Sequence, residues 1–302
     1  MRGGADPKNI LLIIDPQIDF HPEGGEGNLY HPPGSLAVPG ANEDSKRITD
    51  LINKYKDKWD QIIVSMDTHN PNHIAHGAVW KDENGVSPPP FTLITTDDIT
   101  TGKWLPRNEK LKPHCIFYTT KLAENGRFQL IIWPEHCIQG STGHAVVPNI
   151  EAALREWCKT TGKNVDFILK GQNNLTEMYS LIAADVEMLD DLATQKNVGL
   201  LDAILNPDHE SSSKNKPSTM NKVYICGQAL SHCVAFTTRD IVKEIMENTN
   251  YGELLLPNLH LLTDCSSPVG GFETQAKDFI DEVQAQGVKC IKSDEVGETL
   301  KL

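Results

Sequence analysis

Nothing in this chain of 302 residues reads as a membrane span, since no apolar run approaches the roughly 18 residues that a crossing requires. Positive charge is scarce as well: 28 Lys and Arg stand against 41 Asp and Glu, a formal net charge of −13. That balance is a poor match for the basic footprint that phosphate backbones demand, so neither nucleic acid nor an anionic membrane is an expected partner. The opening MRGGADPKN lacks the charged-then-apolar pattern of a secretory signal, and a cytoplasmic address is the expectation. Paired cysteines are missing too. Cys115, Cys137, Cys158, Cys226, Cys233, Cys265 and Cys290 are odd in number, scattered and without a CxxC spacing. This speaks against a disulfide framework or a structural zinc knuckle. In a reducing compartment most of them should be small core residues, which leaves room for one nucleophile.

What is present is an ordinary globular composition, 39% hydrophobic and 23% charged, able to bury a sizeable core. Short β-branched or leucine-rich runs alternate with longer amphipathic stretches. The predicted strands are Asn9–Ile14, Gln61–Ser65, Val165–Leu169, Lys222–Cys226, Leu259–Leu262 and Val288–Ile291. Between them Asn42–Lys56, Pro148–Cys158, Cys233–Glu247 and Gly271–Gln286 carry apolar residues at helical spacing. Apolar strands joined by helical crossovers predict an α/β fold: a doubly wound, mainly parallel six-stranded sheet with helices on both faces and long insertions. No linker separates two complete halves, so residues 1–302 are expected to form a single domain. Three stretches break the rhythm. His76–Leu130 has no sustained period and reads as an insertion. Met178–Val198 is expected to add helix, and Asn206–Thr219 reads as a polar, disorder-prone loop.

In open α/β sheets ligands gather outside the carboxyl ends of the strands, which singles out the polar residues there. Asp15, the Asp67/His69 pair, Lys170 and Cys233 each follow a predicted strand and converge on one rim. Taken one at a time they have ordinary explanations as a turn cap, a solvated lysine or a packed thiol. Asp67-Thr68-His69 sets a carboxylate and an imidazole two positions apart, where alternating side chains can turn to the same side and share a metal. A second imidazole would complete a two-His-one-carboxylate set with open positions. Spacing alone leaves His136, His73 and His76 all eligible for it.

Four ordered blocks carry a resemblance to a known family. They are Asp15-Pro16-Gln17-Ile18-Asp19-Phe20, the DTHNPNH run from Asp67 to His73, the WPEHCIQG run from Trp133 to Gly140, and the GQALSHCV run from Gly227 to Val234. With Leu169-Lys170-Gly171 and Tyr179-Ser180 between the third and fourth, the chain resembles the isochorismatase-like cysteine hydrolases, and among them the metal-containing nicotinamidase branch. The resemblance spans residues 10 to about 265 and skips chiefly the excursions. It implies a catalytic set of Asp15, Lys170 and Cys233. It also implies one divalent metal, zinc first with iron or manganese compatible, on Asp67, His69 and His136 with His73 as an alternative ligand. Substrate would be held by Phe20, Trp133 and Tyr179. Lys121 also looks like a strand-end lysine, but it precedes the WPEHC block, whereas the family's lysine follows it.

The implied activity is hydrolysis of nicotinamide, or a similar small carboxamide, to nicotinate and ammonia through an acyl-thioester. Asp15 would take the thiol proton, Cys233 would attack the carboxamide carbon, and Asp15 would then protonate the departing ammonia before water releases the acid. The metal would orient the pyridine nitrogen. Backbone N–H groups of Ala229 and Cys233 would hold the oxyanion, and the resemblance further implies a cis peptide between Gln228 and Ala229. Self-association is also implied. Thr68 and Gln228 depart from residue types common in the family. Two other readings stand beside this one: a related hydrolase of another small amide or ureide, and a non-catalytic metal-binding scaffold. Because the 76–130 insertion lies between two metal-ligand blocks, it is expected beside the active-site mouth, excluding water.

Overall fold

The structure, a computed structural model, describes residues 6–22, 33–207, 220–248 and 252–300. Strand β1 (Asn9–Ile14) leads through α1 (Ala41–Lys54) to β2 (Gln61–Asp67). The excursion that follows holds β3 (Trp80–Lys81), β4 (Leu93–Ile94), α2 (Thr96–Thr101), β5 (Leu105–Pro106), α3 (Lys112–Glu124) and β6 (Leu130–Ile131). Alternation resumes with α4 (Pro148–Thr161), β7 (Asp166–Lys170), α5 (Val198–Leu205), β8 (Lys222–Gly227) and α6 (Cys233–Asn248). The chain then adds α7 (Gly252–Leu255), β9 (Leu259–Leu262), α8 (Glu273–Gln286), β10 (Lys289–Ile291) and α9 (Val296–Thr299).

The main sheet has the order β10-β9-β8-β1-β2-β7 with every neighbouring pair parallel. Winding outward in both directions from β1 puts the topological switch point between β1 and β8, where a crevice opens at the carboxyl ends. Side chains alternate along a strand, so β1 feeds two cores. Ile10, Leu12 and Ile14 pack with Leu201 of α5, Ile241 of α6 and Phe279 of α8, whereas Leu11 and Ile13 pack with Ile48 and Leu51 of α1 and Leu154 and Trp157 of α4. Each fully buried side chain of this kind contributes about 1.5–3 kcal/mol. The doubly wound sheet with helices on both faces is therefore present. None of the helices is long and apolar enough to cross a membrane among the described residues.

The excursion has a core of its own. Trp80, Ile94, Ile99, Tyr118, Leu122 and Leu130 to Trp133 form a third cluster that reaches Phe20 and Ala229 of the sheet rim. β3 pairs with β5 and β4 with β6, both antiparallel.

Two expectations need correction. Residues 178–198 do not form a helix: apart from one 3₁₀ turn at Leu192–Thr194 they run as turns and loops, and helix begins only at Val198. Their amides are taken by side chains and distant carbonyls, as where Leu181 N donates to Thr237 Oγ1, Ile182 N to Ser180 Oγ and Ala184 N to Thr194 O. Such bonds compete with the helical ladder. Conversely, the 76–130 stretch contains α3, a helix of 13 residues for which no period was recognised. The polar loop at 206–219 lies outside the described residues except for Asn206 and Pro207.

Candidate active site

The chain brings its chemistry together at the switch point. Asp15 follows β1 with φ 44, a left-handed conformation rarely adopted by non-glycine residues. Asp67 ends β2, Lys170 ends β7 as its register partner, and Cys233 is the first residue of α6 after β8. Gly227 lets the β8 turn press onto β1: its φ is 114, and a Cβ there would lie 2.0 Å from the Ile14 carbonyl oxygen.

Lys170 is the hub. Its Nζ lies 3.0 Å from Asp15 Oδ2, 3.0 Å from Asp67 Oδ1, 3.0 Å from the Met178 carbonyl and 3.5 Å from Cys233 Sγ. Burial alone would strip its proton, but the Asp15 and Asp67 carboxylates outweigh that and hold the ammonium well above the ordinary lysine range. Burial likewise pushes Asp15 above the usual carboxylate range, helped by Asp67 and opposed by Lys170 and by Ser65, whose hydroxyl donates to Asp15 Oδ1 at 2.6 Å. The Cys233 thiol is raised well above its ordinary value, by burial first and by Asp15 and Asp67, with Lys170 pulling the other way. Burial thus favours the protonated sulfur at rest, with the Lys170 ammonium alongside it.

Next to this trio Asp67 Oδ2 is met by two imidazoles, His69 Nε2 at 2.9 Å and His136 Nε2 at 3.4 Å. Parallel bridging brings the two sequence blocks side by side: His69 pairs with Ile138 and His76 with Trp133. On each ring the other nitrogen faces a carbonyl, His69 Nδ1 to Gly171 O at 3.2 Å and His136 Nδ1 to Pro134 O at 2.8 Å. A carbonyl only accepts, so Nδ1 carries a hydrogen on each ring and both Nε2 atoms are left facing one carboxylate oxygen. A proton on Nε2 or a metal ion would each satisfy that contact, and the three donor atoms lie within 4.8 Å of one another, close enough to share one ion. The residues therefore fit a divalent metal. Gly171 makes room, with φ 77 and a Cβ position only 2.9 Å from Asp67 Oδ1 and 3.0 Å from His69 Cε1.

His73 forms a second cluster of donor atoms with His69 and Glu177. Its own nitrogens are engaged, Nε2 donating to Thr176 O at 3.1 Å and Nδ1 accepting from Ala75 N at 3.3 Å. His76 meets these rings edge-on, its centroid 5.4 Å from that of His69, and supplies no atom to either donor cluster.

Above the sulfur a cavity of about 330 Å³ is lined by Phe20, Leu36, Asp67, Trp133, His136, Glu177, Tyr179, Ala229, His232, Cys233 and Val269. Phe20, Trp133 and Tyr179 thus all reach it, with Trp133 Nε1 donating to Tyr179 Oη at 3.0 Å. The Gln228–Ala229 peptide is cis. Ala229 carries the carbonyl that accepts from His232 N at 3.0 Å and Val234 N at 3.2 Å, which folds the turn back under α6. Residues of the 76–130 excursion do not line the cavity. They pack behind its wall: Phe128 sits 5.1 Å from the His232 ring and Phe91 5.8 Å from that of Trp133, centroid to centroid. Lys121 lies on this excursion's surface, paired with Glu124.

Several supporting residues had no assigned role in the sequence. Gln17 clamps Asp67 at both backbone groups, Oε1 accepting from Asp67 N at 2.7 Å and Nε2 donating to Asp67 O at 2.8 Å. Asp19 Oδ2 accepts from Cys137 N at 2.7 Å. Both stand in the DPQIDF block, so their neighbourhood was marked although their partners were not. Glu177 and His232 carried no signal beyond their closeness to Tyr179 and Cys233.

No protein-family profile matches the sequence. The chain is 24% identical over 227 residues to a nicotinamidase of Saccharomyces cerevisiae, covering 75% of this chain and 78% of that protein. It is also 24% identical over 234 residues to a nicotinamidase of Acinetobacter baylyi, covering 77% and 74%. Among solved structures, a nicotinamidase/pyrazinamidase of Acinetobacter baumanii superposes with a TM-score of 0.58 at 20% identity, covering 96% of this chain and 99% of the other. The yeast nicotinamidase bound to the inhibitor nicotinaldehyde gives 0.57 at 19%, covering 94% and 99%. A pyrazinamidase of Pyrococcus horikoshii in complex with zinc gives 0.50 at 19%, covering 95% and 99%. In sequence the chain is thus similar to curated nicotinamidases, and in fold to solved nicotinamidases and pyrazinamidases, similarities that support an amidohydrolase.

Proposed function

We propose that this protein hydrolyses nicotinamide to nicotinate and ammonia with Cys233 as nucleophile, Asp15 as proton carrier and Lys170 as the cation that steadies both. The carrying observation is the 3.5 Å approach of Lys170 Nζ to Cys233 Sγ beside an aromatic-lined cavity, with Asp15 Oδ2 3.0 Å from the same Nζ. In the reaction Asp15 accepts the thiol proton as sulfur attacks the carboxamide carbon. The proton passes to the leaving nitrogen as the C–N bond breaks, leaving an acyl-thioester. Water then adds to the thioester carbon, and Cys233 departs with its proton restored. The developing oxyanion would meet the Ala229 and Cys233 N–H groups, and a thiolate at Cys233 would gain from the amino end of α6. Phe20, Trp133 and Tyr179 would clasp the flat ring.

Asp67, His69 and His136 would hold one divalent metal, zinc being the first candidate because the Pyrococcus relative is a zinc complex. When bound, such an ion supplies a Lewis acid for a ring nitrogen. The 76–130 excursion acts as a buttress to the cavity wall within what we read as one hydrolase domain in the cytoplasm. Incubating the metal-loaded protein with nicotinamide, pyrazinamide and a small ureide, then resolving the products, tests this reading. Nicotinate should form. Turnover of the ureide alone, or of nothing, would overturn it.

A further inference from the structure

We propose that Glu177 is a second carboxylate of the metal centre and that the excursion is built to hold it there. This rests on the metal reading of Asp67, His69 and His136. Glu177 Oε1 lies 3.9 Å from His69 Nε2, the atom that would meet the metal, and its side chain is 6% exposed. It also lines the cavity beside His136. Among the described residues no Lys or Arg pairs with it; its Oε1 accepts only the neighbouring Met178 N–H, at 3.0 Å.

Charge gives the reason for its presence. Asp15, Asp67 and Glu177 are buried around a single buried ammonium, Lys170. With the three carboxylates ionised and the imidazoles neutral, the ligand state for a metal, they leave a formal −2 against that one ammonium, which a divalent cation would cancel. Without such an ion, a carboxylate in that position has desolvation to overcome and only the His69 imidazole, at 3.9 Å, to face.

The backbone around Glu177 is pinned on several sides. Leu175 O accepts from His114 Nε2 at 2.8 Å, and Glu177 N donates to Tyr118 Oη at 3.1 Å; both partners belong to α3. Thr176 O takes the His73 Nε2 hydrogen at 3.1 Å, and Glu177 O accepts from Asp185 N at 2.9 Å. A carboxylate fixed this way needs no reorganisation to meet an ion. The second donor cluster of His69, His73 and Glu177 thus has one coherent role: His73 anchors the loop, and Glu177 adds charge to the metal already shared by His69.

Titrating the metal-free full-length protein with Zn²⁺ against a chelating dye, and with Co²⁺ by its visible absorption, tests this apart from catalysis. Wild type should bind one ion, and Glu177→Gln should bind about 10–100-fold more weakly with a changed Co²⁺ spectrum and a metal-free melt no lower than that of wild type. Equal affinity and an equal spectrum would overturn the role of Glu177 while leaving the metal site standing. Failure of wild type to bind either ion would instead remove the metal reading itself, and this proposal with it. Should Gln at 177 prevent folding, Glu177→Asp retracts the carboxylate by one methylene and decides the matter by the same comparison: weakened binding supports the role, and wild-type affinity overturns it.

Discussion

Lys170 Nζ stands 3.5 Å from Cys233 Sγ, so the cation that attends the sulfur is the same one that ties Asp15 to Asp67. Removing it does more than weaken catalysis. Lys170→Met leaves buried Asp15 without a counter-charge and Asp67 with only its imidazole partners, and we expect a loss of about 3–5 kcal/mol in urea unfolding at pH 7. Adding Asp15→Asn should recover part of that loss, because one of the stranded charges disappears. A double variant no more stable than the single one would contradict the shared role.

Asp15 must be ionised to take the thiol proton, and burial raises its pKa above 3.8. Activity is therefore present above the raised value and lost as pH falls through it. The acid limb of kcat/KM should lie above pH 3.8, and Ser65→Ala should move it higher still by deleting the 2.6 Å bond that favours the ionised form. A limb that stays in place or moves lower in the Ser65 variant would count against Asp15 as the base.

Gly171→Ala tests the metal pocket without touching a ligand. Its added Cβ would come within 2.9 Å of Asp67 Oδ1 at a backbone φ of 77. Metal affinity measured by dye competition should fall by about tenfold or more, the scale of a displaced supporting contact. Unchanged affinity would show that Asp67 and His69 do not meet the ion from the positions seen.

Behind the Gln228 turn lies Asp44 of α1, whose Oδ2 accepts from Gln228 Nε2 at 2.9 Å. Burial first raises its pKa to about 6 from 3.8, with the Gln228 bond opposing. Folding thus takes up a proton between those values: the contribution is full below about pH 4 and lost as pH rises through about 6. Asp44→Asn keeps an acceptor for Gln228 and removes the charge. It should stabilise the protein at pH 7 by roughly 3 kcal/mol at most, a gain that vanishes toward pH 4 in denaturant titrations.

The sheet was legible because its central strands are buried apolar runs such as Ile10–Ile14, Ile62–Met66 and Val223–Cys226. Helix α3 was not, for a specific reason. Its inward positions, Cys115, Tyr118, Thr119 and Leu122, have helical spacing but include a thiol and a hydroxyl, while Phe117 is 46% exposed on the other side. Apolarity therefore misreports its buried face. Residues 178–198 misled in the opposite sense: Leu181, Ile182 and Val186 are buried like helix residues, yet their amides bond to Thr and Ser side chains. At the site, Asp15, Asp67, His69, His136, Lys170 and Cys233 could be named because strand ends and ordered blocks mark them. Glu177 could not, since its place depends on His114 and Tyr118 some 60 residues away in sequence, contacts that spacing does not encode.

Ammonia release from nicotinamide by the metal-loaded protein, wild type against Cys233→Ala, is the most direct measurement of the central claim. The wild type should release ammonia and nicotinate in equal amounts, and the Cys233 variant should fall to background while keeping its fold and its metal. Release by the variant at the wild-type rate, or none by the wild type, would contradict the account.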